Sequence, residues 1–424
     1  MSIPTGGPPA APADLAALAE PTRPVSRLWV LWLALISVGV WSGFFGPIQV
    51  LLAQQAEALN PEHKEATLSL VTGVGALVST VLNPLWGAFS DRTVLRVGRR
   101  LPWVLGGLVG AVVAMLLLST AGSVLVMVLG WALAQGALNA MLAAITATVP
   151  DQVPRRQRGT VGGWLAIAQT IGVVAGSGIA AATGSIAAGY LTTAGALVLL
   201  ALPYCLDSRD IAMPLELREP FEVRRFVASF WISPRQHPDF AWAWITRFLM
   251  NLGNALVILY LLYYLKDAVQ LTDEEAEDGV FVLTGVYGLC TVLTAVLGGM
   301  WSDRLRRRKV FVIASGLVAA AALLLLAFVT TWAGAFVGAV VLGVGFGIYT
   351  AVDFAMITEV LPSADDRAKD LGVINIANAL PQVLAPVVAA GVLGLGLGYS
   401  TLYVVAAGVS VLGSVLVVNI RSLR

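Results

Sequence analysis

Twelve apolar runs, each about as long as a bilayer is thick, make up most of this chain. A helix needs about 20 apolar residues to cross the hydrocarbon core, and backbone facing lipid must be helical or part of a closed barrel. The runs at 28–51, 66–90, 102–121, 124–148, 161–182, 185–205, 241–265, 279–301, 310–330, 334–360, 372–394 and 398–420 therefore predict an all-α membrane protein with twelve transmembrane helices. Charged residues are only 12% of the chain, against roughly a quarter in a soluble domain. Most of its surface must therefore meet lipid or other apolar helices.

The polar segments divide the chain. Residues 1–24 are rich in Pro and Ala without apolar period and read as a disordered cytoplasmic tail. Residues 25–205 and 241–424 each hold six spans, and the charged stretch 206–240 separates them as a central cytoplasmic loop. Within that loop 220–233 is amphipathic, as a segment lying on the membrane surface would be. Of the 26 Lys and Arg, all but Lys64, Lys266 and Arg247 fall on the side of the N-terminus, the central loop and the C-terminus. Loops with a Lys/Arg excess stay in the cytoplasm, which predicts cytoplasmic termini. Arginine far outnumbers lysine and alanine is abundant, a composition that suggests a GC-rich bacterial genome and a bacterial cytoplasmic membrane.

Charge is concentrated in Asn83-Pro-Leu-Trp-Gly-Ala-Phe-Ser-Asp-Arg-Thr-Val-Leu-Arg-Val-Gly-Arg-Arg100, between the second and third spans. A shorter copy, Gly299-Met-Trp-Ser-Asp-Arg-Leu-Arg-Arg-Arg-Lys309, follows about half the chain later. Gly87, Asp91 and Arg92 correspond to Gly299, Asp303 and Arg304. Asp151-Gln-Val-Pro154 after the fourth span likewise corresponds to Glu359-Val-Leu-Pro362 after the tenth. Two parallel six-span repeats are a transporter plan.

Gly87-x-x-x-Asp91-Arg92…Gly98-Arg99-Arg100 resembles the loop 2–3 signature of the major facilitator superfamily, and the 299–309 copy resembles its loop 8–9 echo. Within that superfamily, Asp91 through Trp103 is similar to the loop of the sucrose-type and glycoside–pentoside–hexuronide symporters. The resemblance implies two six-helix bundles that alternate access around a central cavity. It also implies a cytoplasmic gate of Gly87, Asp91, Arg92, Arg99, Arg100, Asp151, Gly299, Asp303, Arg304 and Glu359. A glycine lets two helices approach, and a carboxylate one turn on can accept from a neighbouring helix N-terminus and an arginine. The simpler alternative is topology alone, with arginines holding the loop inside. The melibiose-like symporters are implied to bind a cation through carboxylates in their second and fourth spans; here those spans contain none, which disfavours sodium coupling.

Inside the spans only Arg247, Asp353 and Glu359 are charged, and Glu359 is at a span end. An ionisable group at membrane depth is a functional candidate with a partner to be named. At about 1.5 Å per residue, Arg247 lies about 10 Å into the seventh span and Asp353 about 13 Å from the end of the tenth, at matching depth. The expectation is a cavity-lining pair, with Asp353 as proton-coupling residue; the alternative is a static pair joining two helices. Trp41, Gln49, Gln135, Asn139, Asn251, Asn254 and Tyr349 complete the candidate substrate site, since amides and aromatic faces suit sugar hydroxyls and C–H surfaces. Asn375, Asn378 and Gln382 in the eleventh span read rather as interhelical hydrogen-bonding residues.

The expected function is proton-coupled uptake of a sugar or glycoside, with efflux of amphipathic drugs or metabolites as the alternative. An enzyme would need a nucleophile or metal constellation at membrane depth. His63 and His237 fall in loops, and Cys205 and Cys290 have no ligand spacing. No Gly-x-x-x-x-Gly-Lys-Ser/Thr loop occurs, which disfavours nucleotide-driven transport. The expected partners are the lipid bilayer, a small polar solute and, where transport is coupled, protons; neither a cofactor nor a metal is expected, and a net charge of +1 implies no nucleic-acid partner.

Overall fold

The computed structural model describes residues 21–207, 210, 215, 222–224, 234–305, 307–360 and 367–421; for residues 155, 299, 303, 354–355, 357–360, 367–372 and 375 it describes the helix path alone. The expected tail (1–24) and surface segment (220–233) fall almost wholly outside the described residues.

Among the described residues, twelve helices are long and apolar enough to cross a membrane. We label them α1 (Arg27–Leu59), α2 (Lys64–Asp91), α3 (Leu101–Ser119), α4 (Val124–Gln152), α5 (Arg155–Ala181), α6 (Ile186–Leu206), α7 (Pro238–Ala268), α8 (Asp273–Leu305), α9 (Arg308–Phe328), α10 (Trp332–Val360), α11 (Arg367–Gly394) and α12 (Gly398–Leu416). Serine caps start three of them. The hydroxyls of Ser26, Ser123 and Ser185 accept from the N–H of Trp29, Val126 and Ala188, satisfying donors that a helix start leaves free. At α8, Thr272 and Glu275 form a capping box: Glu275 accepts from Thr272 N–H at 3.0 Å, and Thr272 Oγ1 accepts from Glu275 N–H at 3.4 Å.

Several helices outrun their apolar runs, because their polar ends find partners in other helices. The first run stops at 51, but α1 continues to Leu59. Gln55 donates to Leu118 O at 2.8 Å and accepts from Tyr190 O–H at 3.0 Å, so an amide that hydropathy places outside the membrane is buried between helices. Helix α8 begins at Asp273 rather than 279, its acidic first turn suiting the positive end of the helix dipole. Both α1 and α7 carry a five-residue π-helical turn, Pro47–Leu51 and Tyr264–Ala268.

The duplication is visible in the packing. Helix α1 packs on α5 and α6, α4 on α2 and α3, and α3 on α6; adding six to every label gives the packing of the second half. The halves meet along α2–α11 and α5–α8. Helices α1 and α5 approach closely: a Cβ on Gly176 would lie 2.7 Å from Gly46 N, and Ser42 Oγ donates to Gly172 O at 2.9 Å.

Candidate functional site

The second half gathers the charged side chains Arg247 and Asp353 and several amides into one cluster. Arg247 sits on α7 about 14 Å from Pro238, and Asp353 on α10 about 10 Å before Val360, at about 1.5 Å of rise per residue. Arg247 Nη1 is ion-paired with Asp353 Oδ2. Arg247 Nε donates to Asn378 Oδ1 of α11 at 2.6 Å. Asn251, one turn along α7, donates through Nδ2 to Arg247 O at 2.8 Å and to Asn378 Oδ1 at 3.3 Å. The Tyr349 hydroxyl donates to Asp353 Oδ1 at 3.1 Å. Asp353 is thus engaged at both oxygens while only 2% exposed, as a buried carboxylate must be. An aromatic series extends the cluster: Tyr349 contacts Phe346 (centroids 5.8 Å apart), Phe346 contacts Tyr287 of α8 (6.2 Å), and Tyr287 O–H donates to Asn254 Oδ1 at 3.0 Å.

The first half holds a smaller group. Asn139 Nδ2 donates to Gln135 O at 2.8 Å and to Gln135 Oε1 at 3.2 Å, and its Oδ1 accepts from Asn83 of α2 at 2.9 Å. Trp86 Nε1 donates to Gly136 O at 2.8 Å. Trp41 lies against Phe44 and Phe45 on α1. Gln49 occupies the π turn of α1, 2% exposed, with its Oε1 lacking a hydrogen-bond partner among the described residues.

At the end where α1 starts and α12 finishes, which we call the basic end, Arg100 is a hub. It donates from Nε to Asp151 Oδ2 at 2.8 Å, from Nη1 to Ser90 Oγ at 2.9 Å, and meets Asp91 Oδ1 through Nη2 at 2.5 Å. Arg99 Nη2 holds the other oxygen of Asp151 at 2.6 Å. Burial works against the charge of Arg100, but the carboxylates of Asp151 and Asp91 outweigh it and raise the guanidinium's pKa. The chain reaches this hub through Gly98, whose φ of +107° is a left-handed conformation that glycine adopts without strain. Asp210 of the central loop then accepts from the N–H groups of Arg100 and Leu101 at 2.5 and 2.8 Å, capping α3.

At the opposite, acidic end the charges pair between the halves. Lys266 of α7 meets Glu57 of α1 at 2.5 Å, and Lys64 of α2 meets Asp267 of α7 at 3.0 Å. Lys64 also contacts Glu57 at 3.0 Å, and Lys266 contacts Asp273 at 2.8 Å. Tyr399 of α12 donates to Asp267 at 3.0 Å and to Glu65 at 3.3 Å. Tyr263 O–H donates to Ala53 O at 2.7 Å, and Ser69 Oγ and Tyr260 O–H are 2.5 Å apart. Among the described residues, every hydrogen bond and ion pair that joins the two halves lies at this end. The molecule is therefore fastened at its acidic end.

The sequence matches the Major Facilitator Superfamily over residues 31–283 and 243–423, which together cover nearly the whole chain. The chain belongs to that superfamily. No curated protein matches it. Among solved structures it is similar to a mutant of the nucleoside transporter NupG, with a TM-score of 0.75 and 13% identity, covering 93% of this chain and 100% of that one. A POT family transporter in complex with a thioalcohol-conjugated peptide gives 0.73 at 14% identity, covering 92% and 95%. The human organic anion transporter MFSD10 gives 0.67 at 16% identity, covering 93% and 100%. At such identities the likeness is one of fold.

The candidate substrate residues thus fall into separate groups on this superfamily fold. Arg247, Asn251, Tyr349 and Asp353 share the second-half cluster, with Asn254 joined to it through Tyr287; Gln135 and Asn139 share the first-half group; Trp41 and Gln49 belong to neither through a hydrogen bond among the described residues. Asn378, whose span reads as interhelical from sequence, is bonded to both Arg247 and Asn251. Tyr287 and Asn83 had only an ordinary Tyr in an apolar run and an Asn at a loop edge to mark them. Of the gate residues, Asp91, Arg99, Arg100 and Asp151 form one cluster, whereas Arg92 donates to Ala88 O of its own helix at 2.8 Å. Gly87 serves no close helix approach among the described residues in this conformation: a Cβ there would meet none of their atoms within 4 Å. Arg304 is exposed. The side chains at Gly299, Asp303, Glu359 and Asn375 lie outside the described residues.

Proposed function

We propose that this superfamily member is a proton-coupled secondary transporter that takes up a small polar solute of the sugar or glycoside type by alternating access. The observation that carries this reading is the Arg247–Asp353 ion pair, set at membrane depth in a cluster with three asparagines. A charge pair buried without function would be costly to maintain, and amides offer both donors and acceptors to hydroxyl groups. Efflux of amphipathic compounds would favour an aromatic site poor in amides, and this cluster is rich in them. The loop from Asp91 to Trp103 supports a relation to the sucrose-type and glycoside–pentoside–hexuronide symporters.

In this proposal the basic end faces the cytoplasm of a bacterial cell, as the arginine-rich loops favour. The conformation is then inward-facing, fastened outside by the Glu57–Lys266 and Lys64–Asp267 pairs. The Asp91–Arg100–Asp151 cluster belongs to the inner gate, and Gly87 presents the open face against which the other half closes when the site turns outward. The NupG, POT and MFSD10 likenesses support solute transport but differ in cargo. The test is uptake into proteoliposomes driven by an imposed pH gradient. Asp353→Asn should abolish gradient-driven accumulation; a variant that kept both accumulation and its pH dependence would remove the coupling role.

A further inference from the structure

We infer that the solute bound at the Arg247 cluster is a hydroxylated carboxylate, and that its binding transfers one proton to Asp353. The inference rests on the solute-transport reading above and narrows it.

The argument begins with a count of hydrogen-bonding capacity. Among the described residues, Arg247 uses Nε on Asn378 and Nη1 on Asp353, leaving Nη2 without a partner. Asn378 Oδ1 accepts twice, from Arg247 and Asn251, so its Nδ2 donors remain available. Asn254 accepts from Tyr287 through Oδ1, which likewise leaves its Nδ2. The spare acceptor is Asn251 Oδ1, since that residue's Nδ2 is already engaged. None of these spare atoms is among the buried unpartnered ones, so each remains accessible to an incoming group. The cluster therefore offers an unused guanidinium edge and two amide donors against one amide acceptor. That surplus suits an anionic, acceptor-rich ligand and opposes a cationic one. A carboxylate fits the planar fork of an arginine with two parallel bonds, and Asn251, Asn254 and Asn378 suit neighbouring hydroxyls.

Each Nη carries two N–H groups, so a carboxylate taking one from each leaves Asp353 on the same guanidinium and sets a second negative charge beside it. Asp353 is 2% exposed, and the groups facing it are Arg247 from α7 and the hydroxyl of Tyr349 on its own helix. Two carboxylates sharing one cation, one of them so buried, repel each other and favour protonation of one, and a proton taken at Asp353 relieves the conflict. The step balances: the ligand brings one negative charge, a proton from solvent brings one positive, and Arg247 is left facing the ligand carboxylate and a neutral Asp353 carboxyl. One anion and one proton would cross together, with no net charge moved.

The experiment uses the purified full-length protein with D-glucuronate and D-gluconate as probes, and D-glucose and a quaternary ammonium amphiphile as controls. Thermal stabilisation reports binding, and a pH indicator in weak buffer reports proton uptake on ligand addition. The expected result is stabilisation by the hydroxylated acids, not by glucose, with about one proton taken up per acid bound. Arg247→Gln should weaken acid binding about 10- to 100-fold, as loss of a charge-assisted pair does. Asp353→Asn should retain acid binding without proton uptake. Stabilisation by glucose equal to that by the acids, or acid binding by the unsubstituted protein with no proton uptake, overturns the inference while the polar-solute reading stands. No stabilisation by any acid also overturns it; a response confined to the amphiphile removes the polar-solute reading as well.

Discussion

Neutralising the two ion pairs that cross between the halves at the acidic end should open that end. The perturbation is Glu57→Gln with Asp267→Asn, made singly and together. Glu57–Lys266 and Lys64–Asp267 are the pairs lost, and the lysine side chains are only 10% and 14% exposed, so they lie toward the stronger end of what partly exposed pairs contribute. Such pairs contribute about 0.2–1 kcal/mol each. Two near the upper end sum to about 2 kcal/mol, and about 1.4 kcal/mol corresponds to a tenfold change, so the double variant should shift the closed-to-open ratio by about 25-fold. Each single variant should shift it by about 5-fold, unless Lys64 and Lys266, left without Glu57 between them, repel and make Glu57→Gln the larger of the two. Spin labels at Glu62 and Thr272, exposed on opposite halves of this end, would report the change as a longer-distance population in pulsed electron resonance. Unchanged distances in the double variant would refute the reasoning: the seal would then reside in Tyr263–Ala53, Ser69–Tyr260 and apolar packing, with the charges only decorating it.

Three further substitutions test the scaffold by thermal unfolding in detergent. Arg100→Ala removes the hub shared by Asp91, Asp151 and Ser90 and should lower stability by about 3 kcal/mol, the effect of breaking a buried pair on one side; a loss under about 1 kcal/mol would mean that Arg99 alone holds Asp151. Asp210→Ala removes the cap on α3 and should cost about 1 kcal/mol, with faster amide exchange at Arg100 and Leu101 as the local signature. Gly176→Val places methyl groups where a Cβ already lies 2.7 Å from Gly46 N, and should cost about 1–3 kcal/mol as α1 and α5 are forced apart.

What can be read from the sequence, and what cannot, follows from the distance over which each signal acts. The twelve spans are legible because hydropathy is a property of each segment by itself; the helix ends are less so, since Gln55 is buried only because Leu118 O and the Tyr190 hydroxyl wait for it on other helices. The π turns of α1 and α7 leave no pattern of their own in an apolar run. In the candidate site, Arg247 and Asp353 are conspicuous because a charge in an apolar segment demands a reason, and their matching depths come from counting residues along two helices. Asn378 carries no such mark. An amide on α11 reads as an interhelical hydrogen-bonding residue, but its partner stays unknown until the angle between α7 and α11 is known, and only then does it become the acceptor for Arg247 Nε. The acidic end shows the same limit most plainly: Glu57, Lys64, Lys266 and Asp267 look like scattered loop charges in sequence. Their meaning comes from pairing between halves, with partners about two hundred positions apart. The repeat motif of the basic end, by contrast, is prominent in sequence because it is local and doubled, yet in this conformation its described pairs stay within one half. Among the described residues, sequence prominence and the hydrogen bonds between the halves therefore sit at opposite ends of the molecule.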